Sequence, residues 1–252
     1  MQAQVLSDPV ATGQAAARRG AEVLREALRL RGSATIVVAT GASQFAMYDT
    51  LVQEPGIDWS RVTVFHLDEY IGLPITHGAS FRGYLRQRFL SRLPVAPVFV
   101  SIDGDAPDLG AELARLNGLL AGKPVDLCFA GIGENGHLAF NDPPCDFEVR
   151  NPYIVVDLDE ACRRQQLGEG WFPTLEAVPR QAISMSIRQI MASACLVMTI
   201  PDLRKAVAVQ RALEGPVDAA CPASIIQQHA NCAVFLDTDA ASKLTRPLPV
   251  GS

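Results

Sequence analysis

No two cysteines of this chain stand at a metal-knuckle spacing. The six lie at 128, 145, 162, 195, 221 and 232, with no C-x-x-C pair, which argues against a zinc site. Most fall in apolar runs, where a small buried thiol is the ordinary reading, and that usage suits a reducing cytosol better than a disulfide scaffold. Basic blocks are missing too. With a formal net charge of −5 and no positive stripe, the chain is not expected to bind nucleic acid. No apolar run approaches a membrane span and no charged-then-apolar leader opens the sequence, so a cytoplasmic protein without membrane contact is expected. Internal repeats, low-complexity linkers, a G-x-S-x-G elbow and a Walker loop are all lacking. A small anionic ligand stays admissible, because a few local donors suffice to hold one phosphate.

What is present is core-forming material. The chain has 252 residues, 48% of them hydrophobic, enough for a single α/β domain over 1–252. Residues 9–30 carry Ala, Val and Leu at helical spacing, and Gly32 closes that helix. The apolar, β-branched run 35–40 predicts a buried strand, followed by small residues and a helix to about Val52. Further strands are predicted at 62–67, 98–102, 126–130, 153–158, 195–200 and 231–236. Helices are predicted at 81–90, with Ser80 as cap, at 111–120 and at 203–213, with a helical turn at 223–228. Residues 182–193 read as mixed and helical, 159–175 show no clear period, and the proline-bearing tail past Leu244 is expected to pack loosely. Strands alternating with helices imply a mostly parallel sheet covered on both faces, with ligands beyond the carboxyl ends of its strands. Three stretches fall there: 40–44, 68–70 and 131–142.

The last is the richest. From Cys128 to Pro144 it reads CFAGIGENGHLAFNDPP. An apolar strand breaks into Gly131, Gly133 and Gly136, and His137 follows with Glu134 and Asp142 on either side. Gly131-x-Gly133-x-x-Gly136 matches the dinucleotide fingerprint literally, but Pro143 and Pro144 stop any long helix, and Glu134 would repel a pyrophosphate. A lone histidine in a turn usually just fills it. Here the glycines and carboxylates favour a proton shuttle, since a carboxylate raises an imidazole's pKa and fixes its tautomer. Asp68 follows a mostly apolar strand, where a desolvated carboxyl becomes a usable base; a solvated strand end is an equal reading on sequence alone. Thr40-Gly41-Ala42-Ser43-Gln44 offers open amides for a phosphate, and Lys205, at a helix start near a strand end, offers a cation. His66 is expected to be packed, and His77 and His229 belong to no constellation.

These residues resemble the glucosamine-6-phosphate deaminase/isomerase family. GIGENGHLAFNDPP is similar to its G-x-G-x-D-G-H-I-A-F-N-E-P signature, and LDEYIGLP at 67–74 to its acid motif. Segments 178–191, Lys205-Ala206 and 222–232 are similar as well, so the resemblance runs from about Ile36 to Leu236. It implies a modified Rossmann-like three-layer α/β sandwich, and an aldose–ketose isomerisation of an amino-sugar 6-phosphate with loss of ammonia. By resemblance Asp68 would be the base moving the C2 proton to C1, His137 would open the sugar ring, and Asp142 would orient the histidine. Residues 40–44 and Gly131 would receive the phosphosugar, with Lys205 assisting. No metal or organic cofactor is implied, and a homo-oligomer is left open.

Three departures stand out. Asn135 occupies the place of the family's usual acid, and Glu134 is expected to supply the missing charge. Asp142 is one methylene shorter than the family's glutamate. The T-R-x-x-N-x-R-F-F segment is replaced by residues 162–172, where the later phosphate-binding arginine aligns near Gly168; Arg163, or Arg164, is the expected substitute. The competing readings are an epimeric substrate such as galactosamine 6-phosphate, a 6-phosphogluconolactonase sharing the fold and the G-H turn, and a non-catalytic sugar-phosphate sensor.

Overall fold

The computed structural model describes residues 1–246. The tail expected to pack loosely lies mostly outside that range; within it, the Thr245 and Arg246 N–H groups donate to Glu214 at 2.8 and 2.7 Å.

Aliphatic runs build the centre. Seven parallel strands are β1 (Gln2–Leu6), β2 (Ala34–Val38), β3 (Val62–His66), β5 (Val98–Phe99), β6 (Leu127–Ala130), β9 (Leu196–Ile200) and β10 (Cys232–Asp237), in the order β1-β10-β9-β6-β2-β3-β5. A second, antiparallel sheet has the order β4-β8-β7, from β4 (Asp68–Tyr70), β7 (Tyr153–Asp157) and β8 (Gln181–Met185). Side chains alternate across the large sheet. Ile36 and Val38 of β2 pack with α1 (Pro9–Arg31) and α2 (Phe45–Leu51) on one face. Val37 joins the other face with α4 (Leu109–Leu120) and α7 (Ala206–Glu214). The expected three-layer α/β sandwich is therefore the fold.

Local chemistry sets the helix ends. Asp8 caps α1 by accepting from the N–H groups of Val10 and Ala11, both at 2.9 Å, Pro9 fits its first turn, and Gly32 at φ 72° closes it. Ser80 caps α3 (Phe81–Arg88) by accepting from the Gly83 N–H at 3.2 Å.

Several elements differ from expectation. Residues 182–193, read as helical, hold strand β8 and only then the short α6 (Ile187–Met191). Ala182 to Met185 are buried on both faces, so no two-residue alternation marks the strand. The stretch without clear period contains α5 (Glu160–Gly168); it buries only Cys162 and Gln166, too few to print a helical stripe. The strand at 98–102 shortens to two residues, β1 had no counterpart, and β7 runs antiparallel in the small sheet.

Candidate active site

Strand order reverses at β2. The chain moves outward from β2 through β3 to β5 on one side, and from β6 through β9 to β10 on the other. Such a reversal opens a crevice beyond the strands' carboxyl ends. A cavity lies there, lined by the loop after β2, the loop after β6, Asp68, and the turn before α7.

Asp68, 6% exposed, lines this cavity at the start of β4. Its backbone is fixed from both directions. Its carbonyl accepts from His66 Nδ1 at 2.9 Å, and the strand pairs with Ser184 of β8. Among the described residues no group donates to its carboxylate. Burial, then the neighbouring Glu69 charge, pushes this carboxyl up to about 8. His66 itself is fully buried and accepts the Ile102 N–H at Nε2, so its Nδ1 carries the proton; burial lowers it to about 3. It is packed, as expected.

His137 lines the same cavity at 7% exposure, so the imidazole and the Asp68 carboxyl share one space. Its Nδ1 lies 3.0 Å from Asp142 Oδ1, and the Asn135 side-chain oxygen accepts its backbone N–H at 3.1 Å. Burial alone would raise the Asp142 carboxyl. The His137 ring, the Asn135 amide and the Asp159 N–H outweigh it and hold the carboxyl below its ordinary range. An ionised Asp142 fixes the proton on Nδ1 and leaves Nε2 with a free lone pair. Gly133 makes room for the ring: a Cβ there would come within 2.2 Å of Nε2. Ala139, one of two non-glycine residues at positive φ among the described residues (51°), also lines the cavity; the Phe140 N–H bond to Ser184 and the Asn141 amide bond to Met185 O lock this turn onto β8.

Thr40, Gly41, Ala42, Ser43 and Gln44 line the same cavity together with Gly131. Gly41 turns the chain at φ 99°, a conformation only glycine adopts freely, and a 3-10 turn over Ala42–Gln44 runs into α2. Lys205 also lines it, 6% exposed, and burial lowers its pKa. No side-chain partner satisfies its ammonium among the described residues.

Two expected residues lie elsewhere. Glu134 pairs with Arg204 at 3.5 Å, not with His137, because its side chain leaves the turn toward the rim. Arg163 turns its guanidinium to the carbonyls of Leu175 and Val178, the latter at 3.1 Å, and Arg164 pairs with Glu160 on the surface. Both arginines ride on a helix that sequence reasoning did not see, and neither faces the cavity. Arg204 does face it, held by Asp202 at 2.6 Å. Asp202 is the second non-glycine residue at positive φ (93°) and caps the turn through the Arg204 N–H. Gln165, Gln166 and Glu169 of α5 line the cavity as well.

A family model described as glucosamine-6-phosphate isomerases/6-phosphogluconolactonase matches residues 7–156. The glucosamine-6-phosphate deaminase of Streptococcus uberis is 36% identical over 222 residues, 88% of this chain and 92% of that protein. This chain belongs to that family. A solved structure of a monomeric glucosamine-6-phosphate deaminase superposes with a TM-score of 0.88 at 31% identity, covering 96% of this chain and all of that one. A 6-phosphogluconolactonase from Shewanella baltica superposes at 0.77 with 21% identity, covering 94% of this chain and 97% of that one, a likeness of fold alone. In this isomerase/lactonase family member, one group of potential metal ligands stands out among the described residues. His137, Asp142 and Cys162 place one ligand atom each within 4.8 Å of one another. Ring and carboxylate are already hydrogen-bonded, and burial followed by the Asp142 charge pushes the Cys162 thiol far up, so the cluster reads as a hydrogen-bonded network.

Proposed function

We propose that this chain converts an amino-sugar 6-phosphate, glucosamine 6-phosphate, with water into fructose 6-phosphate and ammonia. The observation that carries the reading is the pairing of an unpartnered, buried Asp68 carboxyl with the free Nε2 of His137 across one cavity. His137 takes the O1 proton and returns one to O5, which opens the ring. Asp68 then removes the proton at C2 as O1 takes up a proton from solvent, which is given back when the later iminium is hydrolysed; the product of this step is an enolamine. The same carboxyl delivers the proton to C1, leaving an iminium at C2. Water adds there and ammonia leaves. A proton beside a carbonyl demands a close, desolvated base, and Asp68 has that setting. The loop 40–44 and the Lys205 ammonium hold the phosphate, with Arg204 as the second cation in place of Arg163.

The deaminase name of the 36%-identical relatives supports this chemistry over lactone hydrolysis. Six free cysteines accord with a reducing, cytoplasmic setting. The deciding assay incubates the chain separately with glucosamine 6-phosphate, galactosamine 6-phosphate and 6-phosphogluconolactone. Ammonia from the first is expected. Ammonia from the second alone would reassign the epimer, acid release from the lactone alone would make it a lactonase, and binding without turnover would make it a sensor.

A further inference from the structure

We infer that Asp159 is a positioning residue for His137, supplying through Asn135 the second carboxylate of the proton-transfer network. The inference rests on the deaminase reading above.

Asn135 uses its whole amide in this network. Its oxygen accepts the His137 N–H at 3.1 Å; its nitrogen donates to Asp142 Oδ1 at 3.0 Å and reaches Asp159 Oδ2 at 3.3 Å. The amide can point only one way, because a flip would set its oxygen against two carboxylates. The same geometry explains why position 135 carries an amide. An acid there would face Asp142 and Asp159 at hydrogen-bond distance, three like charges beside one another with only Asp142 on the imidazole. With an amide at 135, the second negative charge sits one residue further out, on Asp159, and is relayed inward.

Asp159 is tied into the site three times. Its N–H donates to Asp142 Oδ2 at 3.0 Å, its Oδ1 caps α5 by accepting the Cys162 N–H at 2.5 Å, and its Oδ2 meets Asn135. The backbone N–H thus helps orient Asp142, and hence the His137 ring, while the carboxylate holds Asn135 and anchors the helix that brings Gln165, Gln166 and Glu169 to the cavity. The other titratable groups near the network are Cys162 and, lining the same cavity, Asp68, Glu169, Lys205 and Arg204, the last paired with Glu134.

The test is a reciprocal exchange: Asp159→Asn, Asn135→Asp, and both together. Asparagine keeps the helix cap, so Asp159→Asn removes charge more than structure; if it does not fold, Asp159→Ser keeps the cap and removes the charge. With glucosamine 6-phosphate, Asp159→Asn is expected to lower kcat about 10- to 100-fold, with KM within about threefold, and to move the pH–rate profile to lower pH. Asn135→Asp is expected to lower kcat and move the profile to higher pH. The double variant relieves the repulsion at Asp159 but not that at Asp142, so it is expected to regain at least about tenfold of the kcat that additive losses would predict. Additive losses in the double variant, or an unmoved profile in Asp159→Asn, would overturn the assignment. Ammonia release by the unaltered chain is measured first, and its absence sinks the functional reading without touching the network. The network is then read by NMR of the His137 ring nitrogens, whose chemical shifts must move in Asp159→Asn. Unchanged shifts overturn the proposal.

Discussion

Asp68 and Glu69 are neighbours on one short strand, and their carboxylates meet opposite environments. Glu69 points inward, fully buried, and accepts from Ser80 Oγ and from the N–H groups of Tyr70, Phe81 and Arg82 at 2.9 to 3.1 Å. Asp68 points into the cavity and receives nothing among the described residues. Period-two alternation puts one acid in service of the fold and leaves the other free for a ligand.

Replacing Asp68 with Asn is expected to lower kcat by roughly 10²- to 10⁴-fold while KM stays within about threefold. Steady-state kinetics on glucosamine 6-phosphate provide the check. A loss of substrate affinity as large as the loss of rate would contradict the role as base.

The pH dependence follows from burial. Asp68 acts deprotonated and its carboxyl is pushed up to about 8, so kcat/KM should climb with pH through a limb near that value. Stability runs the other way. The folded protein binds the extra proton between the ordinary 3.8 and about 8, so this group's contribution is full below the lower value and lost as pH rises through the upper one. Asp68→Asn should therefore raise the melting temperature more at about pH 9 than at about pH 5. Scanning calorimetry at the two pH values decides it, and an equal shift at both refutes the desolvation argument.

Lys205→Met should raise KM for the phosphosugar by about 10- to 100-fold, the worth of one charge-assisted hydrogen bond to an anion. Arg204→Gln should raise it by only about three- to tenfold, because that side chain is half exposed and already engaged by Asp202 and Glu134. Neither change should alter the weak binding of unphosphorylated glucosamine. Calorimetric titration of both sugars is the measurement, and equal weakening for both would remove the phosphate role.

Glu69→Ala should destabilise the fold by about 2–4 kcal/mol, since four donors and the buried Arg82 guanidinium, 3.8 Å away, lose their acceptor. Burial raises the Glu69 carboxyl, and the Arg82, Phe81, Ser80 and Tyr70 donors pull against that rise. Denaturant unfolding would show the loss, and an unchanged midpoint would contradict it.

Gly133→Ala should cut kcat at least tenfold with only a small loss of stability, because the added methyl falls on His137 Nε2 and not on the sheet. Recovery of full activity in that variant would mean the ring has other room.

The outline of the fold was legible because buried parallel strands write themselves as apolar runs: 35–40, 62–67 and 195–200 all lie on the large sheet. The small sheet was harder. Its β8 is buried on both faces, and its partners come from far apart in the chain. Asp68, His137, Lys205 and the loop 40–44 stood out through their strand-end positions and converge on one cavity. Asp159 and Arg204 did not, because a helix cap and a surface-looking arginine carry no local signal; only the packing of α5 and of the turn before α7 brings them to the site. Glu134 and Arg163 were expected to stand in for charges that the family carries nearby, but the turn and helix that hold them aim their side chains away.

Strand β6 is wedged between β2 and β9, with Leu127 opposite Ile36 and Cys128 opposite Leu196. A chain emerging from the ribosome must hold one side of β2 bare until β6 arrives, and one side of β6 bare until β9 follows. Distant parallel pairings close slowly, and open strand edges recruit other chains while they wait. The order in which the sheet can be completed thus makes the shielding of those edges during synthesis a separate demand from the firmness of the finished sheet.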